Sequence, residues 1–261
     1  MSRFLVTGGS GFIGSAIVRR LIADGYEVVA PGRAELDLIE MGADQLAGFV
    51  ADLGPTHCIH SAWYTNHADY LTHEFNRDWF AASQRLARAC RGLRFVGLGT
   101  CLEHGLDPGG TLYAHCKADL LEGLSGDFAW ARVFFVYGPG DRAGRLIPQM
   151  MEQFARGERA GPTYGGLRRD YVHVDDLAGQ IVRLALADIH GPMDVGTGDA
   201  PSLSEIFAAG AAALGRPELA QANDETGGQP PLIQANMMRF RSFVGDPQAR
   251  DIATGLRDLI G

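Results

Sequence analysis

The sharpest constraint in this sequence is a glycine cluster at the seam between two periodicities. Arg3-Phe4-Leu5-Val6-Thr7 is a short apolar run of strand type, and Ile13 to Ala23 has the spacing of an amphipathic helix ending at Asp24-Gly25. Between them lies Gly8-Gly9-Ser10-Gly11-Phe12-Ile13-Gly14. Gly8 permits a tight turn, Gly11 lets backbone amides approach a pyrophosphate, and Gly14 allows the helix to pack close. The helix start adds unpaired N–H groups and the positive end of its dipole. Glycine spacing alone also marks an ordinary strand-to-helix turn. With a strand before it and a helix after it, the segment predicts a dinucleotide site with Gly8, Gly11, Phe12, Ile13 and Gly14 against the cofactor.

The alternation continues. Strand patterns recur at 27–30, 58–61, 94–98 and 128–136, and helical patterns at 76–91 and 113–124. Strands this apolar belong inside a covered parallel sheet, so the fold class is α/β, a Rossmann-type doubly wound parallel sheet. After Pro139 the texture changes, with more Gly, Pro and Arg. Helices are expected over 148–156, 175–187 and 252–260, with loops at 161–166 and 227–231. The expected division is a NAD(P)-binding Rossmann domain over 1–140 and a smaller C-terminal substrate-binding region over 141–261, interleaved with it.

A net charge of −8 argues against nucleic-acid or membrane surfaces, which recruit excess Lys and Arg. A small anionic ligand needs only a local positive site and stays allowed. Cys58, Cys90, Cys101 and Cys116 form neither a CxxC pair nor zinc-like spacing, so no metal is expected. Free thiols and the lack of a leader pattern before Phe4-Leu5-Val6 point to a cytoplasmic protein.

At the end of the second strand, where an NAD site usually carries an acid for the ribose hydroxyls, stands Ala30-Pro31-Gly32-Arg33. A guanidinium can pair with a 2′-phosphate in bidentate fashion, so NADP(H) is favoured over NAD(H). The alternative is that Arg33 stacks on adenine or lies in solvent. Further on, Tyr113-Ala114-His115-Cys116-Lys117 puts a tyrosine and a lysine on one helical face. An ammonium beside a phenol lowers its pKa and makes it a better proton carrier near neutrality. Thr100, just after a strand, can offer its hydroxyl to the same carbonyl oxygen. A bare Tyr-x-x-x-Lys also arises as two surface residues, and here the upstream glycine loop strengthens it.

With these motifs in order, the chain resembles the extended short-chain dehydrogenase/reductase family of nucleotide-sugar epimerases, dehydratases and 4-keto reductases. The resemblance rests on residues 7–14, Tyr113 to Lys117, Tyr137-Gly138-Pro139-Gly140, Arg169-Asp170-Tyr171-Val172-His173-Val174-Asp175-Asp176, Val195-Gly196-Thr197-Gly198 and Gly255-Leu256-Arg257. It implies Tyr113 as acid/base, Lys117 on the nicotinamide ribose and Thr100 polarising the carbonyl. It implies Asp37 and Leu38 at the adenine, Ser61, Ala62 and Trp63 beside the cofactor after the fourth strand, and Phe135 and Val136 by the nicotinamide. Arg169 matches an arginine that grips the substrate diphosphate, the alternative being a structural ion pair with Asp175 or Asp176. His173 and the two aspartates read as structural.

Departures narrow the reaction. Relatives that dehydrate sugars carry an Asp-Glu pair after the threonine, where this chain has Cys101 and Leu102. GDP-fucose synthases resemble residues 14–19 and 33–38, but their epimerising cysteine falls at Leu102. Cys101 is expected to line the substrate pocket, and Cys116 to pack against the core. The Thr100-to-Tyr113 interval is short, and a second diphosphate arginine is not evident; Arg145, Arg168, Arg239 and Arg241 are candidates. The expected activity is reduction of the 4-keto group of a nucleotide-linked deoxyhexulose. Alternatives are a C4 epimerase with tightly bound NAD and a non-catalytic NADP-sensing or scaffold protein. A homodimer through helices 76–91 and 113–124 is allowed but not demanded.

Overall fold

In β1 (Arg3–Thr7) successive side chains serve opposite sides of one sheet. Phe4 and Val6 enter one apolar cluster with α1 (Phe12–Ala23) and α6 (Val174–Leu186), while Leu5 enters another with α2 (Ala43–Leu53) and α3 (Phe75–Ala89). A strand buried on both faces needs helices on both faces, and that is the layering here. The computed structural model describes residues 2–66, 68–104 and 110–260.

The remaining strands of this sheet are β2 (Glu27–Val29), β3 (His57–His60), β4 (Arg94–Thr100), β5 (Phe128–Val133) and β9 (Gly191–Val195). Their order is β2-β1-β3-β4-β5-β9 and every pairing is parallel. The order reverses between β1 and β3, so the loops leaving those two strands diverge and open a crevice at their carboxyl ends. Residues 31–42 hold turns rather than a strand, so Ser61, Ala62 and Trp63 follow the third strand, not the fourth.

The apolar run 128–136 is not one strand. It breaks at Phe134, after which β6 (Phe135–Tyr137) leaves the main sheet and pairs with β8 (Tyr171–His173). A second small pair joins β7 (Arg168–Arg169) to β10 (Leu232–Ile233). Between β7 and β8, buried Asp170 accepts from Thr197 N and Oγ1, Gly198 N and Ala235 N, tying these strands to the turn after β9. A further cluster packs α5 (Leu146–Ala155), α7 (Leu203–Ala213) and a last helix, α8 (Ile252–Asp258), around Phe154, Phe207 and Leu256. The strand Gly191–Val195 and the helices Ala43–Leu53 and Leu203–Ala213 are elements that sequence reading did not delineate. Among the described residues no helix is long and apolar enough to cross a membrane.

Candidate active site

The crevice is walled by close backbone approach. Gly8 has φ +70°, and a Cβ there would lie 2.7 Å from Ala62 N. A Cβ on Gly14 would lie 2.0 Å from Gly8 O. The Ser61 hydroxyl donates to Thr7 O at 2.8 Å and closes the wall from the β3 side. Gly11 differs: a Cβ there would meet only Gly8 O, at 3.2 Å. It is the exposed N-cap of α1, and no side chain caps that helix. Protein fills the space at Gly8 and Gly14 but leaves it open at Gly11, beside the first amides of the helix. Phe12 and Ile13 flank this opening, half-buried. A dinucleotide pyrophosphate fits such a cradle.

Beyond the cradle, Thr100 ends β4 and Tyr113 sits in the first turn of α4 (Leu112–Gly123), with Lys117 one turn later. Thr111 caps α4 by accepting from Ala114 N at 3.2 Å, and Tyr113 N donates to Leu71 O at 3.0 Å. The Thr100 hydroxyl acts on the Tyr113 phenol, working against the rise that burial imposes on it. The Tyr70 ring stands edge-on to Tyr113 at 5.2 Å. Lys117 Nζ donates to Leu98 O at 2.7 Å and lies 3.7 Å over the Trp63 ring, whose Nε1 donates to Asn76.

These surroundings correct one expectation. Burial pushes the Tyr113 phenol well above its usual range, and Tyr70, Glu103 and Cys101 add to the rise. The Lys117 ammonium is held by Leu98 O and Trp63, 5.8 Å from the phenol ring centre. Burial instead lowers Lys117 to about 7, against an opposing pull from Glu103. At rest the phenol is a proton donor.

Glu103 is the residue that sequence reading missed. Its carboxylate is only 3% exposed and takes up Thr100 N at 2.7 Å and Trp130 Nε1 at 3.0 Å, with Arg132 Nε 3.4 Å away. These donors commit it behind Thr100, so it does not restore the acid/base pair absent at Cys101 and Leu102. The Gly97-Leu98-Gly99 spacing was its legible signal, since Cβ atoms on those glycines would collide with Trp130 and Glu103.

Arg169, which acts on Cys101 next to Thr100, is 5% exposed. Its guanidinium donates to the carbonyls of Arg168 and Pro230, both at 2.9 Å, and stands 6.0 Å from the Phe135 ring centre. No carboxylate lies within ion-pair distance of it among the described residues. Asp175 pairs with Arg19 at 3.1 Å and Asp176 with Arg250 at 2.7 Å, so the alternative ion pair for Arg169 is not formed. Burial lowers the Arg169 pKa, and the neighbouring Tyr171 and Cys101 oppose that. Arg145, 3.7 Å from Asp141, also acts on Tyr171, whose hydroxyl burial pushes up to about 12. Buried Cys101, likewise pushed up to about 12, stays a neutral thiol.

This architecture has known counterparts. Residues 4–118 and 121–196 match the NAD dependent epimerase/dehydratase family. The chain belongs to that family. It is 27% identical to the dTDP-4-dehydro-6-deoxy-D-allose reductase of Streptomyces bikiniensis, over 82% of each chain. Over 29% of this chain and 27% of the relative, it is 29% identical to the CDP-abequose synthase of Salmonella muenchen. The UDP-glucose 4-epimerase of Thermotoga maritima shares its fold, with a TM-score of 0.82 at 21% identity over 99% of this chain and 97% of that one. The UDP-glucose 4-epimerase of Thermus thermophilus, complexed with NAD, gives a TM-score of 0.76 at 25% identity over the same shares.

The other family positions scatter. Arg33 is 74% exposed, and its Nε meets Asp37 Oδ2 at 2.8 Å. Asp37 Oδ1 accepts from Ile39 N and Glu40 N, so its carboxylate is occupied by its own turn, and Leu38 is buried in the core. Phe135 is half-buried beside Tyr171, but Val136, on the opposite face of β6, packs into the main core. Cys116 joins a cluster with Trp63, Leu120 and Trp130. Arg168 is half-exposed near Glu205, and Arg241 lies beside Gly198. Arg239 binds the His190 and Pro192 carbonyls at the start of β9, the end of the sheet opposite the glycine loop. Among the described residues no cluster of His, Cys, Asp or Glu could hold a metal ion. Residues 105–109, part of the short interval before Tyr113, lie outside the described residues.

Proposed function

We propose that the chain is an NADP-dependent reductase acting on the 4-keto group of a nucleotide-linked deoxyhexulose, with Thr100, Tyr113 and Lys117 as its catalytic residues. The observation that carries this reading is a Tyr113 phenol kept protonated by its surroundings, with Thr100 at the end of β4 acting on it and Lys117 one helical turn away. A reduced nicotinamide cofactor, when bound on the glycine cradle, supplies the hydride. Tyr113 donates its proton to the ketone oxygen as negative charge grows there, and the Thr100 hydroxyl donates a hydrogen bond to the same oxygen. Lys117 holds the nicotinamide ribose and the geometry around the phenol. Arg169, with Arg145 near it, meets the substrate diphosphate, and Cys101 lines the pocket. Exposed Arg33 pairs with a 2′-phosphate, with Asp37 and Leu38 near the adenine.

The relatives' names support a 4-keto-6-deoxy sugar carried on dTDP or CDP. The 4-epimerase names of the solved neighbours favour the second reading, a C4 epimerase that retains NAD. Purified protein offered NADPH with dTDP- and CDP-linked 4-keto-6-deoxyhexoses separates the readings. Stoichiometric NADPH oxidation with formation of the alcohol supports the reductase. Co-purified NAD and sugar interconversion without net redox change would replace it with the epimerase. NADP binding without turnover would leave the sensor reading. A homodimer through α3 and α4 is part of the proposal, and light scattering that finds only monomer at high micromolar concentration would remove it.

A further inference from the structure

We propose that Glu103 is a positioning residue for this site: its carboxylate fixes the end of β4 at Thr100 and supplies a buried counter-charge to the Lys117 ammonium that the same strand holds through Leu98 O. The inference rests on the functional reading above only for its effect on turnover.

Glu103 follows β4 in a single tight turn, Cys101–His104, and its side chain folds back under the strand it has just left. The room for it is built in. A Cβ on Gly99 would lie 2.4 Å from Glu103 Oε1 and 2.1 Å from Trp130 Nε1, and one on Gly97 would lie 2.4 Å from the same indole. Glu103 Oε1 receives Thr100 N, while two residues earlier on β4 the Leu98 carbonyl receives Lys117 Nζ. One strand end therefore carries both anchors.

The groups that face Lys117 single out this carboxylate. From β3 comes His60, whose pKa burial lowers to about 3, so it is neutral. From its own helix come the Tyr113 phenol, held protonated, and the Cys116 thiol, raised by burial. The rings of Trp63 and Trp130 stand 3.7 and 5.9 Å away. Glu103 is the carboxylate acting on it. It belongs to a line of alternating charge, because Arg132 bridges it to Asp194 at 2.8 Å. Lys117, Glu103, Arg132 and Asp194 thus balance in a nearly dry setting, where removing one charge unbalances the rest.

The chain offers an unusually clean measurement. Lys117 is its single lysine, beside 22 arginines. Protein grown with isotope-labelled lysine therefore gives one side-chain signal, whose pH titration reads Lys117 without substrate, cofactor or turnover. Glu103→Gln keeps an acceptor for Thr100 N and Trp130 Nε1 but loses the charge, and should lower the Lys117 midpoint by about one unit or more. An unchanged or raised midpoint overturns the proposal. Arg132→Gln, which leaves the Glu103 charge unshared, should move the midpoint upward. It also keeps the question open to refutation should Glu103→Gln not fold, since a midpoint that stays or falls overturns the proposal equally. Where a keto-sugar is accepted, the alkaline limb of kcat should fall with the midpoint in Glu103→Gln. A moved midpoint in a protein that turns over no keto-sugar would sink the functional reading and leave the positioning role standing.

Discussion

Lys117 and Arg33 are both cations assigned to the cofactor by motif position, yet they sit in opposite surroundings. Lys117 is 4% exposed, with a carbonyl, an indole face and a buried carboxylate around it. Arg33 stands out in solvent at 74% exposure, paired with a carboxylate four residues away. In the first setting low dielectric magnifies each interaction and punishes the loss of any partner. In the second, water and salt screen the charge, and the pair reforms or breaks freely. Chemistry belongs in the first kind of place and cofactor preference in the second. A set of substitutions graded by burial tests that division.

The largest effect should come at Tyr113. Tyr113→Phe keeps the ring that packs on Tyr70 but removes the proton, so turnover on an accepted keto-sugar should fall by roughly 10²-fold or more. NADPH affinity, measured by fluorescence titration, should stay near wild type. Near-normal turnover would end the assignment, because buried Cys101 and Glu103 are held in other roles.

Lys117→Met should cost both turnover and cofactor affinity, and its stability signature carries a sign. The buried ammonium has a folded pKa of about 7 against an ordinary 10.5, so between those values the unfolded chain holds the extra proton. Wild-type stability therefore gains from this group as pH rises through that window and lacks the gain below it. Cofactor-free Lys117→Met lacks this gain, so its melting temperature relative to wild type should fall as pH rises from about 7 to about 10. A difference that is flat with pH would show that the lysine is not desolvated.

Arg169 is intermediate: buried like Lys117, but with carbonyls for partners instead of a charge. Arg169→Met should raise the substrate KM by roughly 10- to 100-fold with little change in kcat, as expected for a group that binds ground and transition states alike. Thermal stability should hold or rise, because a buried cation without a carboxylate is replaced by an apolar side chain. A fall in melting temperature with unchanged KM would mark the arginine as structural.

The same contrast explains what the sequence disclosed. Residues 8–14 were legible because their geometry depends on glycines adjacent in the chain, and Tyr113 and Lys117 because one helical turn joins them. The family and the α/β sheet followed from such local signals. The break at Phe134 was hidden, because Val133-Phe134-Phe135-Val136 is uninterrupted apolar sequence whose two halves join different sheets. Helix α7 announces itself in Ser202 and Glu205, a reciprocal cap at its start that is legible in the sequence. Strand β9, Gly-Pro-Met-Asp-Val, carries residues that argue locally against a strand. What no local pattern reveals is pairing at a distance. Asp175 and Asp176 lie near Arg169 in sequence yet answer to Arg19 and Arg250, and the depression of the Lys117 pKa follows from walls built by β3, β4 and β5.

Arg33 should give the smallest effect and the sharpest test of the exposed half of the comparison. Its Nε is tied to Asp37, whose other oxygen holds the turn at Ile39 and Glu40. On the proposed reading, that tie orients the guanidinium at the cofactor edge and also places a carboxylate where a 2′-phosphate would approach. With the arginine present, the phosphate meets a cation that Asp37 only partly satisfies. Without it, the phosphate meets Asp37 directly, and repulsion replaces attraction. Arg33→Ala should therefore reduce the preference for NADPH over NADH by about tenfold, with NADH affinity and keto-sugar turnover almost unmoved. Because the site is exposed, the wild-type preference should also shrink as salt rises from about 50 to 500 mM, whereas the Tyr113→Phe defect should not respond to salt. Equal binding of NADPH and NADH by wild-type protein at low salt would remove Arg33 from cofactor selection and leave its pairing with Asp37 as a surface contact.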